Sequence, residues 1–190
     1  MFLSQEQIKN LGFKSIGKNV LISDKSSIYF PENIEIGDNT RIDDFCILSP
    51  SKSMKIGSHV HISCYTSLIG AGEFIIEDFV GISGKCSLYS SSDDFSGRSM
   101  TNPMIPNEFK KLRIGNIHIK KHTIIGAHSI VLPKVIIGIG CAVYAQSLIM
   151  LDCKDFGIYS GNPAKIVGER RRIFLDHEKS FLEKYKSCLL

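Results

Sequence analysis

No run of about 18 consecutive apolar residues occurs in the sequence, so no helix able to cross a membrane is expected. The opening segment MFLSQEQIKNLGF lacks a basic stretch followed by a long apolar core, and does not read as a secretion signal. Long basic blocks and basic–aromatic interleaving are missing as well. Arg170–Arg172 form one local cluster and the net charge is only +4, which argues against a nucleic-acid partner. Six cysteines are present, but none sits in a nucleophile constellation, and a 190-residue chain without a secretion signal is a poor candidate for a disulfide framework. Reduced thiols in a cytoplasmic protein are expected. The remaining composition, 43% apolar and 22% charged, suits one globular domain with a sizeable core.

What the sequence does have is a beat. Aliphatic residues recur every six positions at Ile16, Ile22, Ile28; Ile36, Ile42, Leu48; Ile56, Ile62, Leu68; and Ile76, Ile82, Leu88, with triplets starting twenty apart. After an interruption, Ile119, Ile125, Val131, Ile137, Val143 and Ile149 continue at steps of six. Four residues after most of these stands a small or β-branched residue, such as Val20, Thr40, Cys46, Val60, Thr66, Val80, Cys86, Thr123, Ser129, Val135 and Cys141. A helix would show a period of 3.6 and a half-buried strand a period of two. A period of six taken in threes describes short strands wound round a triangular prism, aliphatics on its axis and small residues at its corners. Coils about 4.8 Å apart would give six coils a length of roughly 30 Å, and such coils bury their inner face only when stacked. Cys46, Cys64, Cys86 and Cys141 fall inside the repeat and are expected in the core; Cys153 and Cys188 have no assigned place.

Two segments flank the prism. Residues 1–11 suggest a short amphipathic helix with Phe2, Ile8 and Leu11 as its apolar side. Residues 169–187 read as a C-terminal helix, with Phe174, Phe181, Leu182 and Tyr185 at helical spacing. The expected organisation is one domain over 1–190, with the prism over 12–168.

The segments IGKNVLI, IGDNTRI, IGSHVHI and IGAHSIV resemble the hexapeptide repeat of the left-handed parallel β-helix acyltransferases, and YSGNPAKIVGERRR resembles the segment that closes the prism in sugar O- and N-acyltransferases. The likeness covers roughly residues 12–172. It implies an all-β, left-handed parallel β-helix of about six coils, acetyl-CoA or another acyl-CoA as donor, a sugar acceptor, and a homotrimer with active sites between subunits. By resemblance, Ala127 and Ala145 match corner positions beside the pantetheine arm, while Pro163 and Lys165 match positions at its nucleotide end, Lys165 as a phosphate partner. Arg170 joins this set for a different reason: cations at the start of a helix oppose its dipole, and a bound phosphate would explain why Arg170–Arg172 stand there.

The interruption is SLYSSSDDFSGRSMTNPMIPNEFK, inside a loop spanning about residues 89–116. A loop of that length within a compact domain is usually functional or disordered, and its aromatic and aliphatic residues give it anchors. Galactoside and maltose acetyltransferases of the family carry a catalytic histidine in this loop; here no histidine lies between His61 and His118. Asp93 and Asp94 stand in its place. An exposed carboxylate is a weak base, but a neighbouring carboxylate or desolvation raises its pKa, and an amine needs less activation than an alcohol. The reading therefore favours N-acylation, with Asp94 preferred over Asp93 as the catalytic residue and Ser92, Ser83 and His122 as substrate-binding side chains. Asp and Ser also favour turns on their own account. The pattern SSSDDFSG followed by MTNP resembles acyltransferases of bacterial surface-polysaccharide clusters, including those acting on nucleotide-linked 4-amino-4,6-dideoxyglucose. Two alternatives stand beside this: O-acetylation of a glycoside with His122 as base, and a non-catalytic trimeric scaffold. No metal is expected, because His59 and His122 lie two coils apart, about 10 Å, too far to share one zinc ion.

Overall fold

The computed structural model describes residues 1–186. Strands of mostly two to four residues pair in parallel with the strand one coil later, building three faces. The first face runs through Ser15–Ile16, Ile34–Ile36, Met54–Ile56, Phe74–Ile76, Ile117–Ile119 and Ile136–Ile137. The second runs through Leu21–Ile22, Arg41–Ile42, His61–Ile62, Gly81–Ile82, Ile124–Ile125 and Ala142–Val143, and ends in the antiparallel pair Gly157–Gly161 and Ala164–Glu169. The third runs through Ser27–Ile28, Ile47–Pro50, Ser67–Gly70, Ser87–Tyr89, Ile130–Val131 and Leu148–Ile149. Six coils are complete, and a seventh begins with the parallel bridge of Cys153 to Ile137 and continues in Gly157–Gly161.

The register stacks aliphatic on aliphatic. Ile36, Ile56, Ile76, Ile119 and Ile137 pair in one column, and Ile42, Ile62, Ile82, Ile125 and Val143 in another. All the periodic aliphatics are buried except Ile16 and Ile28 of the first coil, which has no coil before it. The small residues close the corners from inside: Thr40, Thr66, Thr123, Ser129 and Ser147 are buried, and their hydroxyls donate to backbone carbonyls. Just before them the chain adopts left-handed φ at Asn39, Phe45, His59, Tyr65, Phe79, Lys85, His122, His128 and Gln146. That conformation is uncommon outside glycine. It projects these side chains outward, so equivalent residues of successive coils stand one above another along each edge.

The termini depart from expectation. Helix α1 covers only Gln5–Asn10, with Ser4 as N-cap in a capping box with Gln7. Ile8 is buried over the first coil, whereas Phe2 bridges to Ser23 outside the helix and Leu11 remains exposed. At the other end, helix α2 spans Phe174–Lys186 rather than starting at Glu169. Residues 164–169 instead fold back on Gly157–Gly161 through a turn at the cis Asn162–Pro163 bond. The β-branched pair Ile166–Val167 suits a strand, and the last coil offers it an open edge. Arg170–Arg172 thus lie in a connector, and the helix-dipole reason for a phosphate there does not apply. Cys46, Cys86 and Cys141 are buried as expected and Cys153 joins them, Cys64 is only half-buried, and Cys188 lies outside the described residues.

Candidate functional site

The three edges of the prism carry different chemistry. On the edge between the second and third faces, Ser83–Gly84, Gly126–Ala127 and Tyr144–Ala145 occupy one corner in three successive coils. The ladder there is continuous: Ser83 N–H donates to Ile125 O (2.9 Å), His128 N–H to Gly84 O (3.1 Å), Gly126 N–H to Val143 O (2.8 Å) and Gln146 N–H to Ala127 O (2.8 Å). A Cβ on Gly126 would lie 2.5 Å from the Ala145 nitrogen, so the close approach of these two coils requires glycine. The backbone N–H groups of Ala127 and Ala145 have no partner among the described residues. Small side chains beside a column of free amides fit the amide-bearing pantetheine arm of coenzyme A. The Ser83 hydroxyl, one coil below Ala127, is likewise unpaired and half-buried.

The long loop leaves the edge between the third and first faces as an arm. Its base is an antiparallel pair, Ser91–Ser92 with Arg113–Ile114, and its tip is closed by the bridge between Met100 and Lys110. Asp94 organises the turn between. Its Oδ1 accepts from the Ser96 hydroxyl (2.6 Å) and N–H (2.9 Å), and its Oδ2 from Arg98 N–H (3.0 Å), Ser99 N–H (3.1 Å) and the Ser99 hydroxyl (3.2 Å). The bonds from Ser96, then those from Ser99 and Arg98, hold its pKa down at about 2. That is opposite to the upward shift expected above, and with both oxygens committed to the turn Asp94 holds the shape of the loop. Asp93 differs. No group donates to its carboxylate among the described residues, and it is half-buried in the walls of two cavities of about 640 and 600 Å³. The first adds Ser92, Asp94, Phe95 and cations of the arm; the second adds the third-face residues Ile130, Leu132, Leu148 and Met150. Neither includes Ser83, Ala127 or Ala145.

The third edge, between the first and second faces, receives helix α2. His59, Phe79 and His122 form a ladder of rings 4.9 and 5.0 Å apart and nearly parallel. Phe181 stands edge-on to His59 and Phe79, and Phe174 packs on His122. His122 Nε2 lies 2.8 Å from Glu178 Oε2, and Lys121 Nζ 2.5 Å from Glu178 Oε1. The structure thus places His122 in the dock of α2, on a different edge from Ser83 and Asp93. Arg170, assigned above to a phosphate, is engaged there too: its guanidinium donates to His122 O (2.8 Å) and Gly140 O (3.2 Å) and covers the Phe174 ring at 4.5 Å. Pro163 and Lys165 sit on the closing hairpin, where Pro163 borders a cavity of about 430 Å³ and Lys165 is exposed. Among the described residues, no group of three His, Cys, Asp or Glu side chains is placed to hold a metal ion.

Sequence reasoning missed the outward ladders, because left-handed corners at ordinary residues leave no compositional mark. It also passed over Arg113, opposite Ser92 at the base of the arm; the run Lys110-Lys111-Leu112-Arg113 just before the repeat resumes was the available signal.

No family model matches the chain. The dTDP-4-amino-4,6-dideoxy-D-glucose acyltransferase of Escherichia coli is 45% identical over 181 residues, covering 95% of this chain and 94% of that one. An aspartate-to-asparagine variant of AntD, an N-acyltransferase from Bacillus cereus, solved in complex with dTDP and coenzyme A, superposes with a TM-score of 0.93 at 47% identity, covering 96% of this chain and 98% of that one. A serine-to-cysteine variant of AntD, in complex with dTDP-4-amino-4,6-dideoxyglucose and coenzyme A, gives a TM-score of 0.90 at 46% identity, covering 96% and 97%. The substituted serine and aspartate are ten positions apart in AntD. With its coil architecture, its column of free corner amides and these full-length likenesses, the chain belongs to the acyl-CoA-dependent acyltransferases of the left-handed β-helix type, in the group that contains dTDP-4-amino-4,6-dideoxyglucose acyltransferase.

Proposed function

We propose that this protein transfers an acyl group from acyl-CoA, acetyl-CoA being the first donor to test, to the 4-amino group of dTDP-4-amino-4,6-dideoxyglucose. The observation that carries the reading is the unpaired Asp93 carboxylate, held in a cavity wall by an arm that contains no histidine. The unprotonated fraction of the amine attacks the thioester carbonyl, nitrogen carries a positive charge in the tetrahedral adduct, and as the C–S bond breaks its proton passes to the departing coenzyme A thiolate, so the amine needs a fixed anion more than a strong base. Asp93 supplies that anion and orients the amine, and Asp94 positions it by ordering the turn. Ser83 stands ten residues before Asp93, the interval between the two substituted residues of AntD, whereas ten before Asp94 is Gly84. The interval and the geometry agree in moving the leading role from Asp94 to Asp93.

The Ala127–Ala145 column supports a donor lying along the upper coils with its thioester toward Ser83. Pro163 and Lys165 on the closing hairpin are offered for its nucleotide end, and Ser92 for the acceptor. Ser83 and Asp93 occupy different edges of one prism, which supports a homotrimer in which the arm of one copy meets the corner column of another. One acyltransferase domain over residues 1–190, working in the cytoplasm on a surface-polysaccharide precursor, completes the proposal. O-acylation by His122 is disfavoured by that ring's engagement with Glu178 and Phe79.

The test is thiol release from acetyl-CoA with dTDP-4-amino-4,6-dideoxyglucose and with neutral glycosides. Turnover on the amino sugar alone is expected. Turnover on hydroxyl acceptors alone would refute both the amine and the carboxylate roles.

A further inference from the structure

Arg113 stands across the antiparallel pair from Ser92, the residue before Asp93. It lines both cavities that Asp93 lines, and also the cavity bordered by Pro163. Cation and carboxylate are therefore close neighbours, yet no ion pair joins them, and neither charged group has a partner among the described residues. The same holds for the charged ends of Arg98 and Lys111, which line the larger cavity beside them. By contrast, Lys110 points away and donates to Asn102 O and Pro103 O. Asp94, on the same cavity wall, adds a second negative charge but forms no ion pair with these cations, its oxygens being taken by serine hydroxyls and backbone N–H groups.

An unpaired carboxylate next to three unpaired cations is the charge complement of one kind of acceptor. A nucleotide-linked amino sugar carries a positive amine on one side of its ring and a diphosphate on the other. Resting on the acceptor reading above, we propose that Arg113 anchors the diphosphate of the acceptor, with Lys111 and Arg98 adding charge around it, so that the amine is delivered to Asp93. Guanidinium suits this role because its planar fork binds phosphate oxygens in pairs, which an ammonium does not. Bidentate anchoring at Arg113 also sets selectivity: an acceptor without the diphosphate loses its register on the arm, while the Asp93 contact is unchanged. The three cations sit on the exposed arm and contribute nothing to the prism core, so replacing them leaves the fold intact.

The experiment is calorimetric titration of the full-length protein with dTDP and, separately, with coenzyme A, for the wild type, Arg113→Gln, Arg113→Lys and Lys111→Gln. Expected is a loss of dTDP affinity on the order of tenfold to a hundredfold in Arg113→Gln, a smaller loss in Arg113→Lys and in Lys111→Gln, and unchanged coenzyme A affinity. The KM for the amino sugar should rise in parallel while kcat at saturation changes little. Unchanged dTDP affinity in Arg113→Gln overturns the proposal. So does a loss confined to coenzyme A, which would assign Arg113 to the donor's phosphates. Failure of the wild type to bind dTDP would instead refute the acceptor reading itself, and this proposal with it.

Discussion

Replacing each of the two loop carboxylates by its amide separates chemistry from loop order. Asp93→Asn keeps shape and removes a charge that no hydrogen bond or ion pair engages among the described residues, so the arm keeps its structure and the acceptor amine loses its anion. Positioned acid–base and ion-pairing groups contribute typically about 10²- to 10⁴-fold; with little general-base demand on an amine, a fall of about 10²-fold in kcat/KM for the amino sugar is expected. Asp94→Asn differs in kind. The amide oxygen replaces only one carboxylate oxygen, and the NH₂ on the other side cannot accept a backbone N–H: Ser96 N–H is lost in one orientation, Arg98 and Ser99 N–H in the other, while the serine hydroxyls can turn to accept from the NH₂. At least one backbone hydrogen bond of the turn is lost in either orientation, and the Ser96–Ser99 turn loosens. Activity then falls through a misplaced Asp93, with faster hydrogen exchange across residues 94–100, a readout that Asp93→Asn does not move. Steady-state kinetics on both variants, with exchange mass spectrometry, decide the matter. If Asp94→Asn lost more activity than Asp93→Asn while exchange in the turn stayed at the wild-type rate, the assignment of Asp93 to the amine would be refuted.

Other outcomes follow from the same geometry. Burial disfavours ionisation of Glu178, but hydrogen bonds and charge from Lys121 and His122 outweigh it and leave its pKa below the usual 4.5. A group with a depressed folded-state pKa stabilises fully above its unfolded value, and the effect is lost as pH falls below about 4.5. Glu178→Gln should therefore weaken docking of α2 at neutral pH by about 1–3 kcal/mol, seen as faster proteolysis of the helix, with the difference from wild type shrinking in acid. Ala145→Phe should raise the KM for acyl-CoA with little change in Tm, since position 145 is exposed and its free amide is what the cofactor would use. Ile82→Ala, at 1% exposure in the fourth coil, should cost about 2–5 kcal/mol in denaturant unfolding, because neighbouring coils cannot collapse into the gap. Burial pushes the Cys46 thiol up to about 11 and raises Cys86, and a hydrogen bond with Cys153 together with burial raises Cys141. Peptide mapping after native labelling with a thiol reagent should find these three protected and Cys64 modified first among the cysteines of the described residues.

A period of six repeated in threes was enough, by itself, to determine the prism, its axis residues and its corner residues. The pattern is a burial pattern, and in a solenoid each coil meets only its neighbours, so local periodicity and tertiary contact are the same information. The interruption after Leu88 was as legible, because the repeat stops there and resumes at Ile117. The sequence could not settle what depends on which edge a residue occupies. The sequence reading grouped His122 and Ser83 together as substrate-binding side chains, yet one lies beneath α2 and the other beside the free amides of Ala127 and Ala145. Asp93 and Asp94 are adjacent and chemically identical, and only the folded arm, by turning Ser96 and Ser99 toward one and leaving the other bare, decided which is a fixed strut and which is open to a ligand. Arg170 read as a phosphate cation until the closing hairpin removed it from a helix start and set it against two carbonyl oxygens. Periodicity fixes what faces inward, where every coil imposes the same demand; the roles of outward side chains depend on contacts between distant segments, and those exist only once the chain has folded.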